Sequence, residues 1–240
     1  SKVALESLPP YRKKVGKKAH FAVYKKLQQQ RHNGPNLTKF LGVPALNLGA
    51  SPPAVFYEVT LGHRIADAIL LAANAMAPVC YIIEFKTCMG SAVNVFNKTQ
   101  QSQRVQGLCQ LRDSTSFLLT NSPTGNQVWT LVPILIFKSQ KTLATLSWEH
   151  LRAKPFTFNT TLSALTQFLQ CREDATIKQQ LAQKAQARRA VRPQCGLLGP
   201  ELEKRAQDRR GADYGDEKAS RPLSRSTKCR ATRLVKKTPL

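Results

Sequence analysis

Apolar residues follow two rhythms along this chain, one helical and one strand-like. Over Tyr11–His32, Val15, Ala19, Val23 and Leu27 recur four apart and form a single stripe on a helix. Arg12, Lys13, Lys14, Lys17, Lys18, Lys25 and Lys26 decorate its remaining faces. Asn33-Gly34-Pro35 stops that pattern, and a connection rich in Gly, Pro and Asn runs on to Ser51-Pro52-Pro53. Ala54–Thr60 and His63–Leu71 are strand-like and flank Leu61-Gly62, which reads as a two-residue hairpin turn. Val79–Cys88 is the clearest strand: apolar, β-branched and aromatic, bounded by Pro78 and Met89-Gly90. Ala92–Arg112 returns to helical spacing, with Val93, Phe96, Val105, Leu108 and Leu111 as its apolar positions. Trp129–Lys138 reads as a fourth strand, and Thr160–Gln170 and Ala175–Ala190 as helices. The expected fold is a mixed-sheet α/β one, in the order helix, three strands, helix, strand, helices. Residues 1–40 form a basic N-terminal helix within the fold, and 41–190 the core with its C-terminal helices. From about Val191 periodicity is lost, and 191–240 is expected to be a disordered basic tail.

Charge adds a direction of approach rather than a chemistry, and it is unevenly spread. The 240 residues carry a formal net charge of +23. Residues 1–40 contribute +9, 41–170 only +4 and 171–240 +10. Such a balance points to a polyanion partner such as DNA, RNA or an anionic membrane face, and away from an acidic soluble enzyme. Arg12–Lys18 and Arg233–Lys237 have the character of nuclear-localisation patches, which also bind phosphate backbone without reading sequence. No run is long and apolar enough for a membrane span; the nearest, Ala68–Ile83, is broken by Asn74 and Pro78. The six cysteines show no C-x-x-C pair and the four histidines no ligand spacing to them, so reduced thiols and no structural zinc are expected. The opening Ser-Lys-Val-Ala-Leu-Glu does not read as a secretory signal. Phe156, Phe158, Trp129 and Trp148 read as core.

The scarce negative charges are more informative. Residues 41–170 hold five acids, Glu58, Asp67, Glu84, Asp113 and Glu149, and three of them fall inside apolar strands. A carboxylate there costs several kcal/mol unless it is paired or binds a cation. Residues two apart in a strand share a face, so Glu84 and Lys86 point the same way. With Leu61-Gly62 as the turn, Thr60 pairs with His63 and Glu58 with Ile65, and Glu58 and Asp67 share one face of the hairpin. If the third strand lies beside Asp67, then Glu58, Asp67, Glu84 and Lys86 converge. Hard oxygen donors at one place suit Mg²⁺ or Mn²⁺, and a neighbouring lysine can stabilise the charge of phosphodiester hydrolysis. An E-x-K in a strand is also common as a half-exposed surface pair.

Asp67…Glu84-Phe85-Lys86 resembles the D…(D/E)-x-K signature of the PD-(D/E)xK nucleases, whose restriction-endonuclease-like core is αβββαβ. Ala66 stands where a proline often precedes the first acid. More specifically, the chain resembles a core family of basic herpesvirus nuclear proteins carrying this endonuclease-like motif, with a length that suits gammaherpesvirus members. The resemblance lies in Tyr57-Glu58-Val59, Leu61-Gly62, Arg64, Asp67, Ile82 to Cys88, Gln103-Arg104, Gly107 and Gln110-Leu111. It implies Glu58, Asp67 and Glu84 as ligands of Mg²⁺ or Mn²⁺, Lys86 as catalytic lysine and Gln103 as a helix residue supporting the site. Arg64, Arg104 and the helix lysines Lys13, Lys14, Lys17 and Lys18 become candidates for nucleic-acid contact. It further implies a place in the host nucleus and nucleolus, with the host cytoplasm and the virion as further locations. The implied roles are arrest of the host cell cycle at G2/M, dispersal of nucleolar proteins and nuclear egress, with host nucleolar and cell-cycle proteins as partners. The rival expectation is a non-catalytic regulator on the same fold. A third is a virion-associated RNA-binding protein acting through its basic ends.

Overall fold

The computed structural model describes residues 9–190 except Ala45, Ala50, 74–76, Ser91, Asn94 and Val95, and not the side chains of Arg12, Lys13 or 184–190. The chain divides into two units, Ser1–Arg192 and Pro193–Leu240. The tail expected over 191–240, with its Arg233–Lys237 patch, lies outside the described residues.

Helix α1, Pro10–Gln30, starts with a proline in its first turn, where the missing N–H has no helical partner to lose. Its stripe is buried as far as Ala19, Val23 and Leu27, with Tyr24 beside them, while Val15 stays exposed. The expected connection after it contains a second helix, α2, Gly34–Leu41. Asn33 both ends α1 and caps α2, its Oδ1 accepting the N–H of Asn36 at 3.0 Å. Gly42, at φ 67°, closes α2 in the left-handed conformation.

The end of α2 rests on a buried lysine that the strand pattern gave no reason to notice. Lys138, 0% exposed, donates to the Phe40 carbonyl and to Thr145 Oγ1, and the Thr145 hydroxyl donates to the Leu41 carbonyl at 2.7 Å. The ammonium also stands 4.0 Å over the Phe40 ring. Burial pushes this amine down to about 7. The unfolded chain then binds more protons than the native one between pH 7 and the free-lysine pKa of about 10.4. Stability is therefore expected to rise with pH through that window. Lys138→Met, of similar bulk but unable to titrate, should flatten the rise, which urea unfolding at the two ends of the window measures.

Strands β1 (Ala54–Leu61), β2 (Arg64–Ala72) and β3 (Val79–Cys88) run antiparallel in sequence. Helix α3, Lys98–Asn121, then crosses over, and β4, Gln127–Ser139, lies parallel to β3. Strands β5 (Thr145–His150) and β6 (Phe156–Thr160) were not expected; both pair with β4. β6 takes Gln127–Leu131 and β5 takes Ile134–Lys138. Pro133, with no N–H to give, sits in the gap between the two partners. The helices α4 (Leu162–Gln170) and α5 (Ala175–Ala190) follow. The sheet order is β1-β2-β3-β4-β5, with β6 also on β4. One core packs α1, α2 and α5 on one face, and a second packs α3 and α4 on the other. Trp129 is in the core as expected, but Trp148 on β5 is 38% exposed, edge-on to His150.

Two expected boundaries move. The hairpin turn is Gly62-His63, not Leu61-Gly62, because Leu61 pairs with Arg64. Gly62, at φ 65°, supplies the left-handed residue the turn needs. Helix α3 starts at Lys98, not Ala92, since Asn97 Oδ1 caps the N–H groups of Thr99 and Gln100. It runs nine residues further than expected, to Asn121. Its buried positions include Ser102, Gly107, Leu111, Ser114 and Leu118, so small residues face the sheet while Val105 and Phe96 are exposed. Among the described residues no helix is long and apolar enough to cross a membrane, and Cys80, Cys88, Cys109 and Cys171 are free thiols.

Candidate active site

The sheet opens where its acids sit. The ladder between β2 and β3 runs from Ala72↔Val79 to Ala68↔Ile83. At the next position, where backbone pairing is no longer present, Asp67 Oδ2 accepts the N–H of Phe85 at 2.6 Å. The side chain thus replaces the missing main-chain partner. On the other side of Asp67, the pairs Tyr57↔Ala68 and Val59↔Ala66 leave Glu58 opposite Asp67 in the register. Glu58 is out of the ladder, at φ 47°, a strained value for a residue with a Cβ. The shared face expected for Glu58 and Asp67 is therefore present, through a different register and a local kink.

Helix α1 reaches down onto this point. The Tyr24 hydroxyl donates to Glu58 Oε1 at 2.6 Å and to Asp67 Oδ1 at 2.9 Å. A hydroxyl carries one proton, so the two acceptors share it. Burial pushes the Glu58 pKa up, against the hydrogen bond from Tyr24. Burial also pushes Asp67 up, but His20, Lys86 and the Phe85 N–H outweigh it and hold that carboxyl below the usual range. His20, four residues before Tyr24 on α1, stands with Nδ1 3.7 Å from Asp67 Oδ1. Burial lowers the pKa of His20, yet Asp67 more than offsets this and raises it.

Glu84 and Lys86 point the same way, as the strand period requires. Lys86 Nζ donates to Glu84 Oε1 at 2.8 Å and to Gln110 Oε1 on α3 at 2.8 Å. Glu84 is 3% exposed and Asp67 7%. Burial first, then the nearby Asp67, push the Glu84 carboxyl up to about 8, against the pull of Lys86. Among the described residues, no three His, Cys, Asp or Glu side chains stand together as a ready metal cage. The buried acids Asp67 and Glu84 remain a hard-oxygen pair beside a lysine, and Mg²⁺ is usually held by one or two carboxylates with waters.

At Lys86 and Glu58 lies an open cleft of about 1090 Å³. One wall is α1, with Tyr11, Gly16, Lys17, His20 and Tyr24; the other is the end of β3 and the start of α3, with Met89, Asn97 and Gln103. Lys86 and Glu58 line its depth. Gln103 accepts from the Cys88 thiol at 3.9 Å. Of the helix lysines, Lys17 lines the cleft and Lys14 and Lys18 are exposed elsewhere on α1, while the Lys13 side chain is outside the described residues. Arg64 and Arg104 do not line the cleft. Arg64 Nε donates to Asp113 at 2.9 Å and Arg104 Nε to Glu149 at 2.6 Å, so both tie α3 to strands. Sequence reasoning missed Tyr24, His20 and Gln110 as parts of the site. Their signal was present: His20 and Tyr24 are four apart beside the buried stripe of α1.

Gly107 explains how α3 comes so close. A Cβ there would stand 2.6 Å from Leu135 Cδ1 and 3.2 Å from Lys86 Cε. Gly107→Ala is expected to destabilise the fold by about 1–3 kcal/mol through overpacking and to push Lys86 off Gln110. Thermal unfolding checks the first effect, and ¹⁵N-lysine NMR the second.

Fold and site define a class: a mixed α/β protein whose sheet opens at a buried acid pair, beside a lysine that lines a cleft. The model of the family described as herpes virus proteins UL24 and UL76 matches residues 6–180, and the chain belongs to that family. It is 38% identical over 239 residues to the UL24 homolog of Human herpesvirus 8 type P (isolate GK18), covering 99% of this chain and 92% of that protein. It is 42% identical over 209 residues to the homolog of Alcelaphine herpesvirus 1 (strain C500), covering 86% and 81%. The homolog of Epstein-Barr virus (strain B95-8) is 35% identical over 189 residues, covering 78% and 75%. The herpesvirus resemblance read from the motifs is thus confirmed, gammaherpesvirus relatives included. No solved structure matches the chain.

Proposed function

We propose that this chain is a metal-dependent nuclease of the PD-(D/E)xK kind, cleaving DNA or RNA in the host nucleus. The observation that carries the reading is the junction of Asp67, Glu84 and Lys86 where β2 and β3 part, with Lys86 Nζ 2.8 Å from Glu84 Oε1. The donor set fits Mg²⁺ or Mn²⁺: two buried carboxylates, all oxygen, beside a lysine that lines a cleft. Asp67 and Glu84 would hold the ion, with Glu58 as the nearest further carboxylate. When bound it would polarise a phosphate oxygen and lower the pKa of a water.

The chain's own groups do the rest. The Phe85 N–H and the Tyr24 hydroxyl fix Asp67 in one orientation. Gln110 and Glu84 hold Lys86, which lines the cleft and would offset negative charge developing on a phosphate. His20 presents a second cationic or hydrogen-bonding group on the α1 wall. The G2/M arrest, nucleolar dispersal and egress roles implied by the family would follow from a nuclear activity of this kind, and so would the host nucleolar and cell-cycle partners. One observation favours a second, non-catalytic reading. Both oxygens of Asp67 already accept protein hydrogen bonds, which is also how a purely structural carboxylate is satisfied.

The test is direct. Purified wild-type chain is incubated with plasmid DNA and with RNA, in Mg²⁺, in Mn²⁺ and in EDTA. Metal-dependent cutting supports the nuclease. No cutting of either substrate with either metal supports the regulator.

A further inference from the structure

Gly16 occupies the middle of α1, where a helical glycine is disfavoured. At Gly107 the reason for a glycine is visible, because a neighbouring side chain fills the space. Among the described residues, a Cβ at Gly16 would meet nothing within 4 Å. The residue nevertheless lines the cleft. The described packing gives no reason for the missing side chain, whereas glycine is the usual residue where a ligand approaches the backbone closely.

The chemistry around Gly16 describes that ligand. Lys17, next in the chain, is exposed and lines the same wall, with His20 one turn further along. The opposite wall carries the amides of Asn97 and Gln103. Flat or polarisable apolar groups stand at both sides of the mouth: Tyr11 is 60% exposed and Met89 56%. A cationic wall, an amide wall and an apolar rim together suit a chain that is anionic along one edge and carries flat, hydrogen-bonding groups along the other.

We propose that the cleft takes a single strand of nucleic acid, with its sugar-phosphate backbone packed on α1 at Gly16 and Lys17. The identity of the polymer rests on the phosphodiester reading above. Burial decides between strand and duplex. Lys86, its side chain only 12% exposed, lines the depth of the cleft, so a phosphate meets it only by entering. A duplex keeps its bases stacked inward and unable to meet Tyr11 or Met89, whereas an unpaired strand brings both backbone and bases inside.

Fluorescence anisotropy of a fluorescein-labelled oligonucleotide, alone or annealed to its complement, tests this with the full chain in EDTA at about 0.15 M salt. The strand is expected to bind about tenfold more tightly than the duplex. Gly16→Leu, which fills open space, should reduce strand affinity to the duplex level at an unchanged melting temperature. Lys17→Glu should weaken strand binding and lower the salt slope by about one; it decides the matter if Gly16→Leu fails to fold. Equal affinity for strand and duplex would overturn the proposal, as would wild-type strand binding by both variants, which would assign binding to the basic ends. EDTA prevents metal-dependent cutting, so absence of nuclease activity leaves this result to stand by itself.

Discussion

Lys86→Ala is expected to reduce metal-dependent cleavage by about 10²–10³-fold, the usual loss when a preorganised charge-stabilising group is removed. The fold should survive. Glu84 loses its cation, but burial already pushes its carboxyl up to about 8, so a proton can replace the lysine near neutral pH. Gln110 sits part-buried beside the cleft and can turn to water. Circular dichroism with single-turnover cleavage separates the two effects. An inactive but folded variant is the expected outcome, and cleavage undiminished in this variant would mean a contaminant or a different site.

Tyr24→Phe is expected to have the next largest effect, and on a different quantity. The hydroxyl is the only group drawn to both Glu58 and Asp67 among the hydrogen bonds described, at 2.6 and 2.9 Å. Without it Asp67 keeps the Phe85 N–H but loses its second anchor, and Glu58 loses its only described hydrogen-bond donor. Groups that orient metal ligands typically contribute 10–100-fold in metal affinity. Mn²⁺ affinity, read by electron paramagnetic resonance of the free ion, should fall by about that factor in Tyr24→Phe. The aromatic packing of Tyr24 against Tyr57 and Phe85 is kept by phenylalanine, so thermal stability should change little.

The sequence disclosed the middle of the fold better than its ends. Val79–Cys88 matches β3 because it is buried on both faces, and a continuous apolar run reads the same from either side. β5, with the pattern Thr-Leu-Ser-Trp-Glu-His, is half-exposed along its length and carries no such run. α2 was hidden because Asn33-Gly34-Pro35 carries stop and start signals together. α3 was displaced because serine, glycine and threonine share its buried face with only two leucines, Leu111 and Leu118.

For the site, strand parity was enough to bring Glu84 beside Lys86 and Glu58 beside Asp67. It was not enough to show how the acids are held. Tyr24 belongs to a helix about forty residues before Asp67, and no periodicity links the two. Gln110 reaches Lys86 only because Gly107 lets α3 settle on Leu135. Arg64 and Arg104 read as free cations in the sequence because their acids, Asp113 and Glu149, are distant along the chain. The basic charge that dominates the composition lies mainly outside this junction, and the chemistry depends on a few buried acids.

Anomalous diffraction from crystals grown with Mn²⁺ tests the central claim most directly. The account predicts a manganese peak at the carboxylates of Asp67 and Glu84, lost in Glu84→Ala. Well-ordered carboxylates with no peak between them, at Mn²⁺ concentrations that saturate other nucleases, would contradict it.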